Sequence, residues 1–379
     1  MTNTANRFKS SLPPAVHIFN PTNDEALASN NRWYTPSRHA RQYQVDCELL
    51  PIWWANDGDY IIAPNHTDEE IARTAHKANI NISRYCPGDA AIPSPWGWSN
   101  DAKRQFADAG LPVEFLPSDE EIESIRSLSH RKLAIDVNKS LTVITGQSAP
   151  NRPRLCPDIN QIDICGGDNM LLKRPWSSSG RGTFPTNTLS DIELQRLAGG
   201  IIRRQGSVVI EDALDKVMDF SCLFRAEEAA ITHQAWSLFH TTGDGRYMGS
   251  LVDTQCNIMG SLRKSGILYG KHPVDFDMLQ RQIITVLSSL ISPDYNGWIG
   301  VDMLGYRDSK DGHIHIAPCI EVNLRMTMGV VAVILAQKLS PLSSNYILRT
   351  MSPGSIYPDG SISLVGDQDG FSIILESIL

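Results

Sequence analysis

The loop from Lys173 to Thr183 has the composition of a phosphate-binding segment. It reads Lys-Arg-Pro-Trp-Ser-Ser-Ser-Gly-Arg-Gly-Thr and follows the apolar run that begins at Asn169. Small residues let successive backbone N–H groups surround an anion, and a lysine at a strand end supplies a compact positive charge for phosphate oxygens. The loop contains neither the Walker GxxxxGK[ST] pattern nor the Rossmann GxGxxG pattern. We therefore predict phosphate binding of another kind, with a solvated hairpin as the alternative.

A second group of polar residues has the types expected of a magnesium site. Asp302 lies in one strand-like segment, and Glu321, Asn323 and Arg325 alternate in the next, after a polar turn at 308–312. Residues i and i+2 of a strand share a face, so these three side chains could all point toward Asp302 on an adjacent antiparallel strand. Carboxylate and amide oxygens suit Mg²⁺, and an arginine beside it could stabilise a transferred phosphoryl group. A surface salt-bridge cluster is the alternative interpretation.

Three parts of the chain must position these two groups. Residues 1–117 alternate strand-like and helix-like segments, which predicts a parallel α/β layer. Residues 118–212 combine connector helices with the strand and loop that contain Lys173, and residues 213–379 contain the acidic segments and a C-terminal extension. The predicted fold is thus α/β at the amino terminus and α+β in the remainder.

Local signals predict individual elements within these parts. Strands are expected at 15–19, 59–63 and 113–115 because their residues are apolar and β-branched or aromatic. Ser118 and Glu121 have the spacing of a capping box that opens a connector helix. An amphipathic helix is expected to begin after Asp275.

Composition excludes several classes of protein. The 379 residues are 41% hydrophobic and 20% charged, with a formal net charge of -8. This balance disfavours a broad nucleic-acid surface, and no run approaches the roughly 20 apolar residues needed to span a bilayer. Seven cysteines without CxxC spacing argue against both a disulfide framework and a zinc site. Nothing in the sequence resembles a secretory signal, so we expect a cytoplasmic protein.

Taken together, the segments resemble the ATP-grasp superfamily over residues 130–340. The resemblance is carried by Lys173 and its loop, by the strand that ends at Glu211, by Asp302 and by the Glu-x-Asn-x-Arg pattern at 321–325. It implies a Rossmann-like pre-ATP-grasp domain at 1–117, a first ATP-grasp lobe within 118–212 and a second lobe within 213–379. ATP and Mg²⁺ would be bound between the two lobes.

The resemblance also implies roles for individual residues. Arg325 and Lys173 would act in phosphoryl transfer. A basic residue at the start of the preceding helix would contact phosphate, and Lys132 and Arg131 both fit. The metal ligands would be Asp302, Glu321 and Asn323. The implied nucleotide contacts are Lys132, Lys173, Ser177, Ser178, Ser179, Gly180, Glu211, Asp212, Leu214, Asp219 and Leu304.

Most members of this superfamily convert a carboxylate into an acylphosphate, which an amine or a thiol then attacks. The leading hypothesis is a ligase of this kind that acts on an amino acid or a small peptide. The expected partners are therefore a small carboxylate and an amine or thiol, with neither nucleic acid nor membrane, and a homodimer is compatible with the sequence. The alternatives are a kinase that phosphorylates a hydroxyl and a nucleotide-binding regulatory module. The sequence has a complete set of residues for metal binding and phosphoryl transfer. A protein that only binds a nucleotide does not need this set, which argues against the regulatory module.

Overall fold

A computed structural model of the chain describes residues 13–162, 169–177, 180–243, 245–339 and 345–378. Within these ranges the strands form three sheets that follow one another along the chain. We call them the N-terminal sheet, the small sheet and the large sheet. No helix in these ranges is both long enough and apolar enough to cross a bilayer.

The N-terminal sheet is parallel, as predicted, with the strand order β3-β2-β1-β4. Its strands are β1 (Ala15–Ile18), β2 (Tyr60–Ile61), β3 (Ser83–Arg84) and β4 (Ile92–Pro95). The helices of this region are α1 (Asn23–Ser29), α2 (Arg38–Asp46), α3 (Asp68–Ala78) and α4 (Asn100–Asp108). The strand order reverses at β1, so the carboxyl ends of β1 and β4 form the kind of crevice that binds ligands in open α/β sheets.

The prediction of a strand at 113–115 is wrong. Val113–Phe115 form a short 3-10 helix, and Val113 is 73% exposed, so its apolar residues have no sheet face to cover. The sheet is completed by β3 and β4 instead. Proline at positions 93 and 95 removes two backbone donors from β4, and such a segment does not look like a strand in sequence.

The small sheet is antiparallel, with the order β5-β8-β6-β7. The predicted capping box is confirmed, since the Ser118 hydroxyl accepts from the Glu121 N–H and the Glu121 carboxylate accepts from the Ser118 N–H. The strands are β5 (Arg154–Cys156), β6 (Met170–Lys173), β7 (Thr183–Pro185) and β8 (Val208–Asp212), and the helix between β7 and β8 is α7 (Asp191–Gln205). The preceding helices, α5 (Asp119–Leu128) and α6 (Lys132–Thr145), pack in the core of the large sheet. Helix α7 packs on this sheet around Leu172, Ile201 and Ile210.

The large sheet has the order β13-β12-β15-β14-β9-β10-β11-β16-β18-β17. Its strands are β9 (Asp215–Glu227), β10 (Ala230–Thr241), β11 (Tyr247–Val252), β12 (Leu268–Tyr269), β13 (His272–Pro273), β14 (Gly297–Arg307), β15 (Ile314–Asn323), β16 (Asn345–Met351), β17 (Ile362–Val365) and β18 (Ser372–Ile378). The helices are α8 (Gln255–Lys264), α9 (Phe276–Leu290) and α10 (Met328–Lys338). Asp275 accepts a hydrogen bond from the Met278 N–H and caps α9, as predicted.

The two faces of the large sheet pack against different elements. Phe220 and Val301 lie in one core with α9, whereas Leu223 lies in another core with α10 and with residues of the N-terminal region such as Trp53. Helix α10 is therefore buried between the large sheet and the N-terminal layer. The segment that enters α10 from β15 must then lie where the N-terminal layer meets the large sheet.

Candidate active site

Two carboxylates face each other across the central strands of the large sheet. Asp302 on β14 is directly opposite Glu321 on β15, which confirms the predicted antiparallel pair. Asp302 accepts hydrogen bonds from the Ser221 hydroxyl at 2.5 Å and from the Asn323 amide at 3.0 Å. Burial raises the pKa of Asp302 to about 7, and the charge of Glu321 adds to the effect. The Ser221 and Asn323 hydrogen bonds and the charge of Arg325 act in the opposite direction on the pKa of Asp302 but do not outweigh burial.

The chemical types of these residues suit a magnesium ion. Nowhere in the described part of the chain do three His, Cys, Asp or Glu side chains gather as a possible metal cage. Asp302, Glu321 and Asn323 offer two carboxylates and one amide, a small set that leaves coordination positions for phosphate and water, as Mg²⁺ prefers. A divalent cation between the carboxylates would offset their mutual repulsion.

A buried ion pair on the small sheet faces the same region. The ammonium of Lys173, at the end of β6, pairs with the Glu211 carboxylate on β8, and these side chains are 6% and 5% exposed. The second oxygen of Glu211 accepts from the Asn151 amide at 3.0 Å. Since buried charges need partners, the pair fixes the positions of both side chains.

Arg131 connects the hairpin of the small sheet to the large sheet. Its guanidinium lies 3.1 Å from the Glu321 carboxylate of the large sheet, and it donates to the Ser177 hydroxyl at 3.1 Å and to the Arg174 carbonyl at 2.9 Å. Lys132 does not enter this cluster, because its side chain is 58% exposed and pairs with Asp136 one turn along α6. Of the two basic residues considered from sequence, Arg131 is the one that the structure places beside the loop and the carboxylates.

Strands β6 and β7 form a hairpin, and Gly180 in this hairpin contacts the connection between β10 and β11. The Arg174 N–H bonds to the Gly182 carbonyl at 2.8 Å and closes the hairpin. Gly180 has φ +73°, and a Cβ there would lie 2.1 Å from the Gly245 carbonyl oxygen in the connection between β10 and β11. Only glycine fits so close a contact. Two predicted nucleotide contacts, Ser178 and Ser179, lie outside the described residues.

Trp176 anchors the base of the hairpin. Its indole donates to the Arg126 carbonyl at 2.9 Å, and the Arg126 guanidinium lies 4.3 Å from the ring centroid. The His130 ring packs edge-on against it, and burial with neighbouring positive charge lowers the pKa of His130 to about 4, so this imidazole is neutral at pH 7. The bulky residue in an otherwise small-residue loop is therefore explained by packing against α5 and the turn that follows it.

Arg325 departs from the predicted arrangement. Strand β15 ends at Asn323, so Arg325 leaves the sheet, and its guanidinium contacts Asp24 of the N-terminal region at 2.7 and 3.0 Å. Burial alone would lower the pKa of Arg325, but the Asp24 carboxylate raises it instead. The neighbouring Met326 N–H bonds to the Trp96 carbonyl after β4 at 2.8 Å. The carboxyl ends of β1 and β4 thus hold the residue predicted to stabilise the transferred phosphoryl group.

The remaining predicted residues lie near this cluster. Asp212 and Leu214 follow Glu211 directly, at the connection from β8 to β9. Asp219 on β9 is opposite Leu304 on β14 and accepts from the Thr241 hydroxyl at 2.7 Å. Leu304 lies two residues after Asp302 and so shares its sheet face.

A narrow cavity, about large enough for one water, lies between the small sheet and the large sheet. Polar groups of Arg131, Asn138, Asn151, Lys173 and Glu211 line it, together with Cys319 and apolar residues. Three of these five polar residues, Arg131, Lys173 and Glu211, were predicted or considered from sequence. Asn151 was missed because it lies in a Pro- and Asn-rich segment without periodicity, and Asp24 was missed because only the folded chain brings it to Arg325.

Comparison with known proteins identifies distant structural neighbours. No protein-family model matches the chain, and no curated protein matches it in sequence. Among solved structures, the chain aligns with carboxyaminoimidazole ribonucleotide synthase from Aspergillus clavatus, crystallised with ATP, at 13% identity and a TM-score of 0.48, covering 82% of this chain and 91% of that one. The biotin carboxylase domain of Hydrogenobacter thermophilus 2-oxoglutarate carboxylase aligns at 11% identity and a TM-score of 0.48, and the alignment covers 87% of this chain and 83% of that one. Phosphoribosylamine–glycine ligase from Thermotoga maritima aligns at 11% identity and a TM-score of 0.45, and the alignment covers 96% of this chain and 90% of that one.

These neighbours are ATP-grasp enzymes. Their identities and TM-scores are too low to assign a role to any residue of this chain. The arrangement of sheets in the chain itself, a parallel layer with helices followed by two further sheets with helices, confirms the predicted fold class, α/β at the amino terminus and α+β in the remainder.

We expect the Asp24–Arg325 pair to be energetically coupled. Replacing either residue by alanine leaves the other charge buried without its partner and should lower the free energy of unfolding by about 3–5 kcal/mol. The double-mutant cycle should give a coupling energy of about 1–3 kcal/mol between the two side chains. Urea denaturation of the two single variants and the double variant measures it. The exposed pair Arg225–Glu227 is the control, with an expected coupling below about 1 kcal/mol. A coupling for Asp24–Arg325 no larger than the control would contradict the assigned contact.

Proposed function

We propose that the protein is an ATP- and Mg²⁺-dependent ligase that joins a carboxylate to an amine or a thiol through an acylphosphate. The observation that carries the proposal is the position of Arg131 between Ser177 of the hairpin and the carboxylate of Glu321. It brings the hairpin, a loop suited to phosphate, next to a carboxylate pair suited to a metal. Phosphoryl transfer needs both features at one point.

Each group of the site has a role in this proposal. Lys173 and Arg131 would bind phosphate oxygens, and Asp302, Glu321 and Asn323 would hold magnesium, which would offset the negative charge of the phosphates. Arg325, held by Asp24, stabilises negative charge at the transferred group. The hairpin that carries Ser177 and Gly180 covers the site and excludes water from the reactive acylphosphate.

The proposed reaction has two steps. A carboxylate oxygen of the substrate attacks the γ-phosphorus of ATP, the bond to the bridging oxygen breaks, and ADP leaves. The amine or thiol then attacks the carbonyl carbon, inorganic phosphate leaves, and the nucleophile loses a proton to solvent or to phosphate. No free water enters either step, which is why a closing hairpin is useful.

A substrate screen tests this proposal directly. The protein is incubated with ATP, Mg²⁺ and pools of amino acids, small peptides, thiols and polyols, and ADP, AMP, phosphate and new masses are followed. ADP and phosphate that require both a carboxylate and a nucleophile, together with a hydroxamate when hydroxylamine replaces the nucleophile, support the ligase. ADP with a phosphorylated alcohol, or AMP as the nucleotide product, would contradict it.

We expect Asn323→Ala to lower Mg²⁺-dependent turnover by at least about a hundredfold, because metal stabilisation of the transition state is worth several kcal/mol. The far-ultraviolet circular dichroism spectrum should stay unchanged. Asn296→Ala, in an exposed asparagine just before β14, is the matched control and should keep wild-type turnover. Wild-type turnover in Asn323→Ala would refute the metal assignment.

The two adjacent basic residues of α6 give a further test of the site. Arg131→Ala should weaken binding of Mg-ATP about tenfold or more, because it removes a buried charge-assisted contact. Lys132→Ala should leave the affinity unchanged, since Lys132 is exposed and pairs with Asp136. Isothermal titration calorimetry measures both. A larger loss in Lys132→Ala than in Arg131→Ala would show that the wrong residue has been placed at the phosphates.

A further inference from the structure

Glu25 is a carboxylate to which the proposed reaction gives no role. It lies in helix α1 directly after Asp24, whose carboxylate holds the Arg325 guanidinium. Its oxygen Oε2 is buried and accepts no hydrogen bond from the described residues, and Glu25 forms no ion pair with them. Buried charges are normally paired, so this side chain has an unused capacity to bind a positively charged donor.

Glu25 lies where the N-terminal crevice meets the hairpin and Arg325. The charges of Arg181 in the hairpin and of Arg325 both act to lower the pKa of Glu25, so both guanidiniums are near its carboxylate. Neither is paired with it, because Arg325 binds Asp24 and Arg181 is exposed. Glu25 therefore borders the place where Arg325 is proposed to act. The charged and titratable groups that face Glu25 are Asp24, Tyr34, Arg174, Arg181 and Arg325.

The electrostatic surroundings of Glu25 favour a cationic ligand that can give up a proton. Burial raises the pKa of Glu25, and the neighbouring charge of Asp24 raises it further, which makes the carboxylate a stronger base. An ammonium group has three N–H donors and a positive charge, so it would satisfy Oε2 and offset the repulsion from Asp24. A thiol reacts as its thiolate, whose negative charge both carboxylates would repel.

We propose that the nucleophile is an amine, and that the Glu25 carboxylate binds its ammonium form and removes one proton from it. The inference rests on the proposed ligase function and chooses between the two nucleophiles which that function leaves open. The freed lone pair on nitrogen attacks the carbonyl carbon of the acylphosphate. The bond from this carbon to the phosphate oxygen breaks, phosphate leaves with the electron pair, and the nitrogen gives its second proton to the departing phosphate.

Thermal melting of the full chain tests the state of Glu25 without any substrate. Glu25→Gln should raise the melting temperature by about 1–3 °C at pH 7.5, because it removes an unpaired buried charge. The pKa of Glu25 is raised in the folded chain, so its penalty is present above that pKa and is lost as the pH falls through it. The gain should therefore disappear near about pH 4, where the carboxyl is protonated in both the folded and the unfolded chain.

The two steps of the reaction test the role of Glu25 in proton transfer. With the carboxylate that the substrate screen identifies, hydroxylamine traps the acylphosphate and reports on the first step, and it reacts as a neutral amine that needs no base. At pH 7.5, Glu25→Gln should lower coupling to a more basic amine by about a hundredfold relative to hydroxamate formation. The loss should shrink as the pH rises toward the pKa of that amine. Glu69→Gln, in an exposed glutamate of α3, is the matched control and should change neither the melting temperature nor this ratio.

Three results would overturn the inference and leave the proposed function standing. A lower melting temperature in Glu25→Gln would show that Glu25 is a structural partner in the fold. An equal loss of hydroxamate formation and of amine coupling in this variant would show that Glu25 has no part in proton transfer from the amine. Products that form with thiols but not with amines would show that the wrong nucleophile has been chosen. The absence of any ATP-dependent product would contradict the proposed function, and the inference with it.

Discussion

Charged side chains buried at one place must be paired, and this constraint organises the site. Arg131 has a side chain that is 6% exposed and bonds at the same time to Ser177 on the hairpin and to Glu321 on the large sheet. A guanidinium in such a place cannot lose its partners without a large energetic cost. The small and large sheets are therefore held at a defined separation, with a cavity between them. The loop predicted to bind phosphate and the carboxylates predicted to bind a metal lie next to each other for that reason.

The N-terminal layer is tied to the same site by a second buried pair. Asp24 binds the guanidinium of Arg325, and the Asn20 side chain bonds to both the N–H and the carbonyl of Gly97 between the carboxyl ends of β1 and β4. A Cβ on Gly97 would lie 2.5 Å from the Asn23 amide and 3.0 Å from the Arg325 side chain. This packing makes the crevice of the N-terminal sheet a neighbour of the proposed phosphoryl-transfer site. Substrates bound in that crevice would lie beside Arg325.

The sequence predicted the parts of the structure that depend on local pattern. The capping box at Ser118, the helix after Asp275 and the facing strands of Asp302 and Glu321 follow from spacing alone, because period, cap and turn are properties of neighbouring residues. The sequence could not distinguish Arg131 from Lys132, since the choice depends on which side chain reaches a distant carboxylate. Arg325 was expected on the face of Asp302, but the strand ends two residues earlier and a partner remote in sequence redirects it.

The central claim is that one magnesium nucleotide binds between the hairpin and the carboxylate pair. Crystals grown with ATP and Mn²⁺ in place of Mg²⁺ test it most directly, because manganese scatters anomalously and marks its own position. We expect an anomalous peak coordinated by Asp302, Glu321 and Asn323, with the triphosphate extending toward Lys173 and Arg131. A manganese peak at other residues, or a nucleotide ordered away from the cavity between the lobes, would contradict it.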